Sequence, residues 1–486
     1  GEHAFLITPC MDRLHFASVD DQASMATADF LNDCVLEATG PYVICDLAQE
    51  CDCSQYLDKL RRVGMRGALM LPFGGEHDVK GILSLASPRP NALDALAAFK
   101  LRSVLPLFSV ALRRTMDSLH SRVQAVMKEQ FTAIHPAIEW RFARAALNWV
   151  RQNDPGEAVE EIVFKEVYPL FGSSDIRSSS TIRSQSIQAD LLRQLGLAGE
   201  VLASAYRERP LPYLDSLSFR VRSWTREIEP GLHSGDETRI LEFLRHELEP
   251  LFARLEAFGP RVAEAAGAYR GQLDPSIGIL YQRRKLFEDS VGEIREMITG
   301  TLYERQQEAQ AFFPHYFEMH KTDGVDHTIY LGPSTVPEGR FDPLYLRNLR
   351  LWQLLVMVEI ARKSVEIVPR LPMALETAHL LLVQDMPLSI RFHVDEKQFN
   401  VDGAYNVRYE IIKKRLDKAE VEGTGERLTQ PGRVAIVYSH PREAAEYREY
   451  IDYLRDAGQI SDEVEELSVG PLQGVQGLKA LRIAVT

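Results

Sequence analysis

At 486 residues, with 45% apolar and 26% charged residues, the chain has the composition of a soluble globular protein and is too long for a single core, so about three domains are expected. No run of eighteen apolar residues occurs and no charged-then-apolar leader opens the chain, so neither a membrane span nor export is expected, and the location expected is cytoplasmic. The formal net charge of -13 repels nucleic-acid phosphate, which makes nucleic acid an unexpected partner.

All five cysteines, Cys10, Cys34, Cys45, Cys51 and Cys53, fall at the start of the chain, an odd count that does not describe a disulfide framework. Their spacing matches no zinc ribbon or ferredoxin run, so the simplest reading makes them small core or loop residues. A redox role for Cys45, Cys51 and Cys53 is the alternative. In chain order, AFLITPC and RLHFASV read as short strands, and Ala26 to Glu37 as a helix with Phe30, Leu31, Cys34 and Val35 on one side. Gly40-Pro41 breaks that helix. Tyr42–Leu47 then reads as a strand and Leu57–Val63 as a short helix.

Two apolar runs follow, Ala68–Phe73 and Gly81–Ala86, and the stretch from Gly74 to Asp78 between them is a hairpin signal. Ser-Pro-Arg-Pro-Asn stops the second strand and supplies an N-cap for the next element. Leu93, Leu96, Leu101, Val104, Phe108, Ala111 and Leu112 then recur mostly at steps of three and four, which predicts a helix with one buried face. Residues 61–114, with Pro72-Phe73 ending one strand and Gly81-Ile82-Leu83-Ser84-Leu85-Ala86-Ser87 forming the next, resemble the C-terminal half of a GAF domain. The resemblance extends over residues 1–117. It implies an antiparallel sheet with helices packed on it and a small ligand held between sheet and helices, near Gly81–Ala86 and Tyr42–Tyr56. It further implies a closing helix that pairs with its copy in a homodimer and carries the output. GAF domains usually begin with a further helix before the first strand, and this chain is expected to start inside the domain. Leu119, Val123 and Val126 prolong the stripe, so one rod from Asn91 to Gln130 is expected, bent at Pro106.

Beyond the rod, a helix from Pro136 to Arg151 buries Ile138, Phe142, Ala145, Ala146 and Trp149, and the stretch Val163 to Leu170 follows it. The stretch from Phe171 to Ser186 reads as a loop dense in hydroxyls and guanidinium groups, with a helix beginning near Thr181. Ser173, Ser174, Asp175, Arg177, Ser178 and Arg183 are its candidate anion-binding residues, because hydroxyls, backbone N–H groups and Arg forks at a helix start hold phosphate or carboxylate. A capped turn is the competing reading, and no Walker loop occurs anywhere in the chain. This block, with its Trp-Arg-Phe and Gly-Ser-Ser-Asp-Ile-Arg, is similar to one that follows GAF domains in some bacterial proteins.

From Pro212 to Phe313 the pattern is helical. One stripe holds Ile240, Phe243, Leu244, Glu247, Leu248, Leu251, Phe252 and Leu255; another runs from Ile277 to Ile298 and is started by Asp274-Pro275. His315, Glu318, His320, Asp323, Asp326 and His327 have metal-ligating side chains but no zincin spacing, so no metal site is assigned. A helix from Tyr345 to Val368 is apolar over much of its circumference. The last section alternates strands Ala378–Val383 and Ser389–Val394, a helix Val407–Ala419, strand Arg433–Tyr438, helix Glu443–Ala457, and strands Glu463–Val469 and Ala480–Val485.

The fold class expected is multidomain α+β: a GAF-like sheet with helices (1–117), a connecting helix and Ser/Arg-rich block (118–200), a helical bundle (201–368) and a small C-terminal α+β domain (369–486). The leading functional expectation is a sensory or regulatory protein whose GAF-like module binds a small ligand or senses redox state. The alternatives are an enzyme or phosphate-binding regulator built on residues 171–186, and a helical scaffold for assembly. No cofactor fingerprint is present in the sequence.

Overall fold

The structure, a computed structural model, describes residues 4–10, 40–49, 55–73, 80–130, 135–152, 161–337, 341–393, 398–402, 409, 412–413, 415–472 and 475–486. The expected strand RLHFASV, the helix Ala26–Glu37, the hairpin turn Gly74–Asp78, and Cys34, Cys51 and Cys53 lie outside the described residues. Two compact units emerge, Gly1–Phe131 with Ala146–Glu157, and Thr132–Ala145 with Ala158–Thr486. The architecture is mixed: helices and antiparallel sheets recur through both units, as the composition and periodicity predict.

The first unit contains β1 (Ala4–Cys10), β2 (Tyr42–Ile44), helix α1 (Gln55–Arg62), β3 (Gly67–Phe73), β4 (Lys80–Ser87), α2 (Ala95–Arg102) and α3 (Leu105–Gln130). The strands form an antiparallel sheet in the order β1-β4-β3-β2. β3 reads GALMLPF because both its faces are covered. Leu69 and Leu71 pack with Leu83, Leu85, Leu93 and Ala98, while Ala68 and Met70 pack with Ile44, Leu47 and Leu57. Each fully buried leucine contributes about 1.5–3 kcal/mol. Pro72 is tolerated because β2 pairs with β3 only as far as Met70, so the missing N–H lies beyond that ladder.

The expected single rod is two helices. α2 is capped by Asp94, whose carboxylate accepts from the Ala97 N–H at 2.8 Å, and Asn91, in the left-handed region at φ 59°, belongs to the turn before it. The chain breaks at Ser103-Val104, and the two helices meet at 52°. Pro106 is therefore no kink inside a helix; it occupies the first turn of α3, where no N–H is required. Among the described residues no single helix is long and apolar enough to cross a membrane, although this bent pair meets that measure by length and composition when taken together.

In the second unit, the turn Pro136–Ile138 and the start of α4 (Glu139–Gln152) bury Ile138, Phe142 and Ala145. β5 (Ile162–Ile176) is the long central strand. A helical arm follows: α5 (Ser179–Glu208), α6 (Pro212–Ile228), α7 (Asp236–Phe243), α8 (Glu249–Leu255), α9 (Pro260–Gln272) and α10 (Arg283–Phe312). The hairpin β6 (Tyr316–Lys321) and β7 (Val325–Leu331) leads into α11 (Pro343–Ile367). The chain ends with β8 (Thr377–Leu382), β9 (Leu388–His393), β10 (Gln398–Asp402), β11 (Arg433–Tyr438), α12 (Pro441–Asp456), β12 (Ile460–Ser468) and β13 (Lys479–Val485).

These strands form one sheet in the order β10-β9-β5-β8-β11-β13-β12, with β7 also on β5 and β6 on β7. β8 and β11 run parallel; the other pairings are antiparallel. The C-terminal block expected at 369–486 thus shares its sheet with β5, β6 and β7, and the boundary expected at residue 368 falls inside one folded unit. β10 has no counterpart among the expected strands. Of the expected helix Val407–Ala419, the described part includes a single-turn helix at Leu416–Lys418.

One face of the sheet packs on α10, α11 and α12 through Ile176, Val325, Leu381, Ile436 and Ile483. The other face packs Phe171, Leu380, Leu382 and Val437 against Tyr409, Leu416, Leu428 and Leu478. The arm has its own core, in which Leu195, Val201, Leu202, Ile240, Leu244, Leu248 and Phe252 are buried. A π-helical turn at Leu244–Leu248 adds a residue to the stripe and puts Glu247 on the surface, where it pairs with Arg220.

Asp274-Pro275 does not start α10. Residues 274–282 form a turn in which Asp274 bonds Ser276, and the helix begins at Arg283. Its cap comes from afar: the buried Asp190 carboxylate, on α5, accepts from the backbone N–H groups of Gln282, Arg283 and Arg284 at 3.2, 2.9 and 3.0 Å.

Candidate functional site

β5 ends in the middle of the sheet, between β7 and β8. Phe171, Ser173 and Asp175 alternate onto one face of it, and Gly172, Ser174 and Ile176 onto the other. The expected loop at 171–186 is therefore strand as far as Ile176. Pairing on both sides overrides the turn chemistry of Gly-Ser-Ser-Asp. Arg177 and Ser178 make the whole connection to α5, which starts at Ser179. So tight a reversal needs Ser178 in the left-handed region, at φ 56°.

A cavity of about 380 Å³ opens above the Phe171–Asp175 face. Its floor includes Ser173, Asp175 and, from β8, Ala378 and Leu380. Arg177, Ser178, Ser179 and Ser180 line the end where α5 begins. The Ser178 side chain makes no capping bond, and the Ser179 hydroxyl donates to Asp323 at 2.8 Å. That end of the helix favours negative charge.

Lys413, Lys418 and Arg427 also line the cavity. Lys413 is held 4.9 Å from the centre of the Phe171 ring, where the ring face attracts a cation, and its Nζ donates to the Thr328 hydroxyl at 3.4 Å. The tip of the β6–β7 hairpin, Thr322-Asp323-Gly324, makes a third wall, together with Asp326. Gly324 is required there. A Cβ at that position would lie 2.0 Å from the Ser174 carbonyl oxygen, so no larger residue lets the hairpin close onto β5.

Of the six candidate anion-binding residues, Ser173, Asp175, Arg177 and Ser178 line this cavity. Ser174 does not; it is buried on the opposite face, and its hydroxyl lies 2.9 Å from Nδ1 of His379. Arg183 does not either. It lies farther along α5, in a neighbouring cavity of about 440 Å³ with Ser184, His233 and Thr238, so Arg177 and Arg183 do not form one clamp. Lys413, Lys418 and Arg427 escaped the sequence reading because they are remote in sequence from Arg177 and carry no motif; only the fold gathers them.

The histidine- and acid-rich stretch divides in the same way. Asp323 and Asp326 reach the cavity, whereas His327 is fully buried beneath the sheet against Gln353 Nε2, at 3.1 Å. Burial pushes His327 down to about 4, His379 to about 3 and His315 to about 4, so all three are neutral at pH 7. Among the described residues no group of three or more His, Cys, Asp or Glu side chains is arranged to hold a metal ion. Of the redox candidates, Cys45 is an exposed free thiol, and Cys51 and Cys53 lie outside the described residues.

No family model matches the chain, and no curated protein matches it. Among solved structures, one described as the crystal structure of the guanylyl cyclase Cya2 aligns with 41% of this chain and 83% of its own, at 13% identity and a TM-score of 0.24. A likeness that distant assigns neither fold nor activity to this chain.

Proposed function

We propose that the second unit binds a small phosphate- or carboxylate-bearing molecule in the cavity at the start of α5. The observation that carries this reading is convergence: cations from separate stretches of chain, Arg177, Lys413, Lys418 and Arg427, line one cavity that also receives the N-terminal end of a thirty-residue helix. Replacing Lys413 and Arg177 together by Ala should weaken pyrophosphate binding, read by isothermal titration calorimetry, by at least about tenfold, since each charged hydrogen bond contributes about 1.5–3 kcal/mol. Unchanged affinity in the double variant rejects the reading.

A second reading, a cytoplasmic sensory or regulatory role for the GAF-like first unit, draws support from its closing helix. Leu107 and Val110 lie one turn apart on α3 and are 68% and 66% exposed, an apolar pair suited to a copy of the same helix in a homodimer. Replacing both with Glu should convert a dimer to a monomer in sedimentation velocity. A wild-type chain that sediments as a monomer at micromolar concentration removes the support.

A further inference from the structure

The cavity is not uniformly basic. Besides Lys413, Lys418 and Arg427, three carboxylates line it, Asp175, Asp323 and Asp326, of which Asp323 accepts from the Ser179 hydroxyl. Two of them are fixed by the sheet. Asp326 stands directly opposite Ser173 in the β5–β7 ladder, and Asp175, two residues on, shares the face of Ser173. Lys413 is anchored above the adjacent pair, Phe171 and Thr328. The basic and acidic anchor points are thus two residues apart along β7, or about 7 Å. A ligand that is only an anion would gain at one wall and be repelled at the other.

We infer that the ligand is amphoteric: it carries a phosphate or carboxylate for Lys413 and an ammonium group for Asp326, separated by a short linker. This inference rests on the anion-binding reading and narrows it to a class, the amino-alkyl phosphates and their carboxylate counterparts. Opposed charges also explain a polar strand end at the centre of a sheet. Ser173 sits between the walls and provides a hydroxyl to either ligand group, while the rest of the floor is the apolar Ala378 and Leu380.

The experiment compares three probes of nearly equal size on the full chain by titration calorimetry: O-phosphoethanolamine with both charges, ethyl phosphate with the anion only, and ethanolamine with the cation only. O-phosphoethanolamine should bind about tenfold more tightly than ethyl phosphate, the gain of one charged hydrogen bond. Asp326→Asn should abolish that difference while leaving ethyl phosphate bound at least as tightly as before. Equal affinity of the two phosphates for the wild-type chain overturns the inference but leaves anion binding intact. So does a rise in ethyl phosphate affinity to the level of O-phosphoethanolamine on adding magnesium ions, which would give the acidic wall to a metal. If neither phosphate binds, the anion-binding reading falls together with the inference.

Discussion

The two faces of β5 are built from the same few residue types and do opposite things. On the cavity face, Ser173 and Asp175 line a cavity that Arg177, Lys413 and Lys418 also line. On the buried face, Gly172 and Ser174 are closed over by two histidines. His327 fills the space where Gly172 has no side chain, within reach of Gln353, and His379 bridges Ser174 and Thr377 with ring nitrogens at 2.9 and 3.0 Å. Polarity in a sequence therefore does not distinguish a site from a support. The strand's two-residue period assigns each hydroxyl to one role or the other.

Acid should expose the buried face first and with the largest effect. Both histidines have folded-state values below the usual 6.5, so the unfolded chain binds protons that the folded chain refuses. Their contribution is fully present above about pH 6.5 and is lost as pH falls toward 4, by up to about 3 kcal/mol each. Urea unfolding followed between pH 7 and pH 4.5 should show this fall, and His379→Gln should flatten it; a slope identical in that variant assigns the acid sensitivity elsewhere.

Gly172→Ala should rank next. A Cβ there would lie 2.3 Å from Cε1 of His327, which is packed too closely to retreat, so a loss of about 3 kcal/mol is expected in chemical denaturation. Wild-type stability in this variant would show that the imidazole is free to move. The neighbouring serines sharpen the contrast. Ser174→Ala leaves a ring nitrogen of His379 without its hydroxyl and should cost about 1–2 kcal/mol with no change in ligand affinity. Ser173→Ala should do the reverse, weakening the binding of O-phosphoethanolamine a fewfold while stability stays within about 0.5 kcal/mol. Equal behaviour of the two serines would erase the distinction between the faces.

Much of this was legible beforehand. Alternation and turn residues placed β3, β4, β8, β11 and β13 within a residue or two, and apolar periodicity placed α11 and α12. What escaped depends on distant partners. Gly-Ser-Ser-Asp reads as a loop by local chemistry and is strand because β7 and β8 pair with it. Asp274-Pro275 reads as a helix start, yet the α10 cap belongs to Asp190. The basic wall at Lys413, Lys418 and Arg427 has no local signature, so the cavity was half visible: Arg177 and its serines could be named, but not the cations that join them.

The Asp190 cap also bears on the order in which the chain acquires structure. β5 must pair with β7 across the whole helical arm, and closing so long a stretch of unstructured chain is slow and entropically costly. The arm has its own core, and its first and last helices, α5 and α10, lie side by side with Asp190 joining them. Once the arm is folded, the stretch to be closed before β5 can pair with β7 shrinks from the whole arm to the hairpin that follows α10. On this view the arm folds first and Asp190 acts as a latch, so its effect belongs in the folding rate: Asp190→Ala should slow refolding more than it speeds unfolding in stopped-flow measurements.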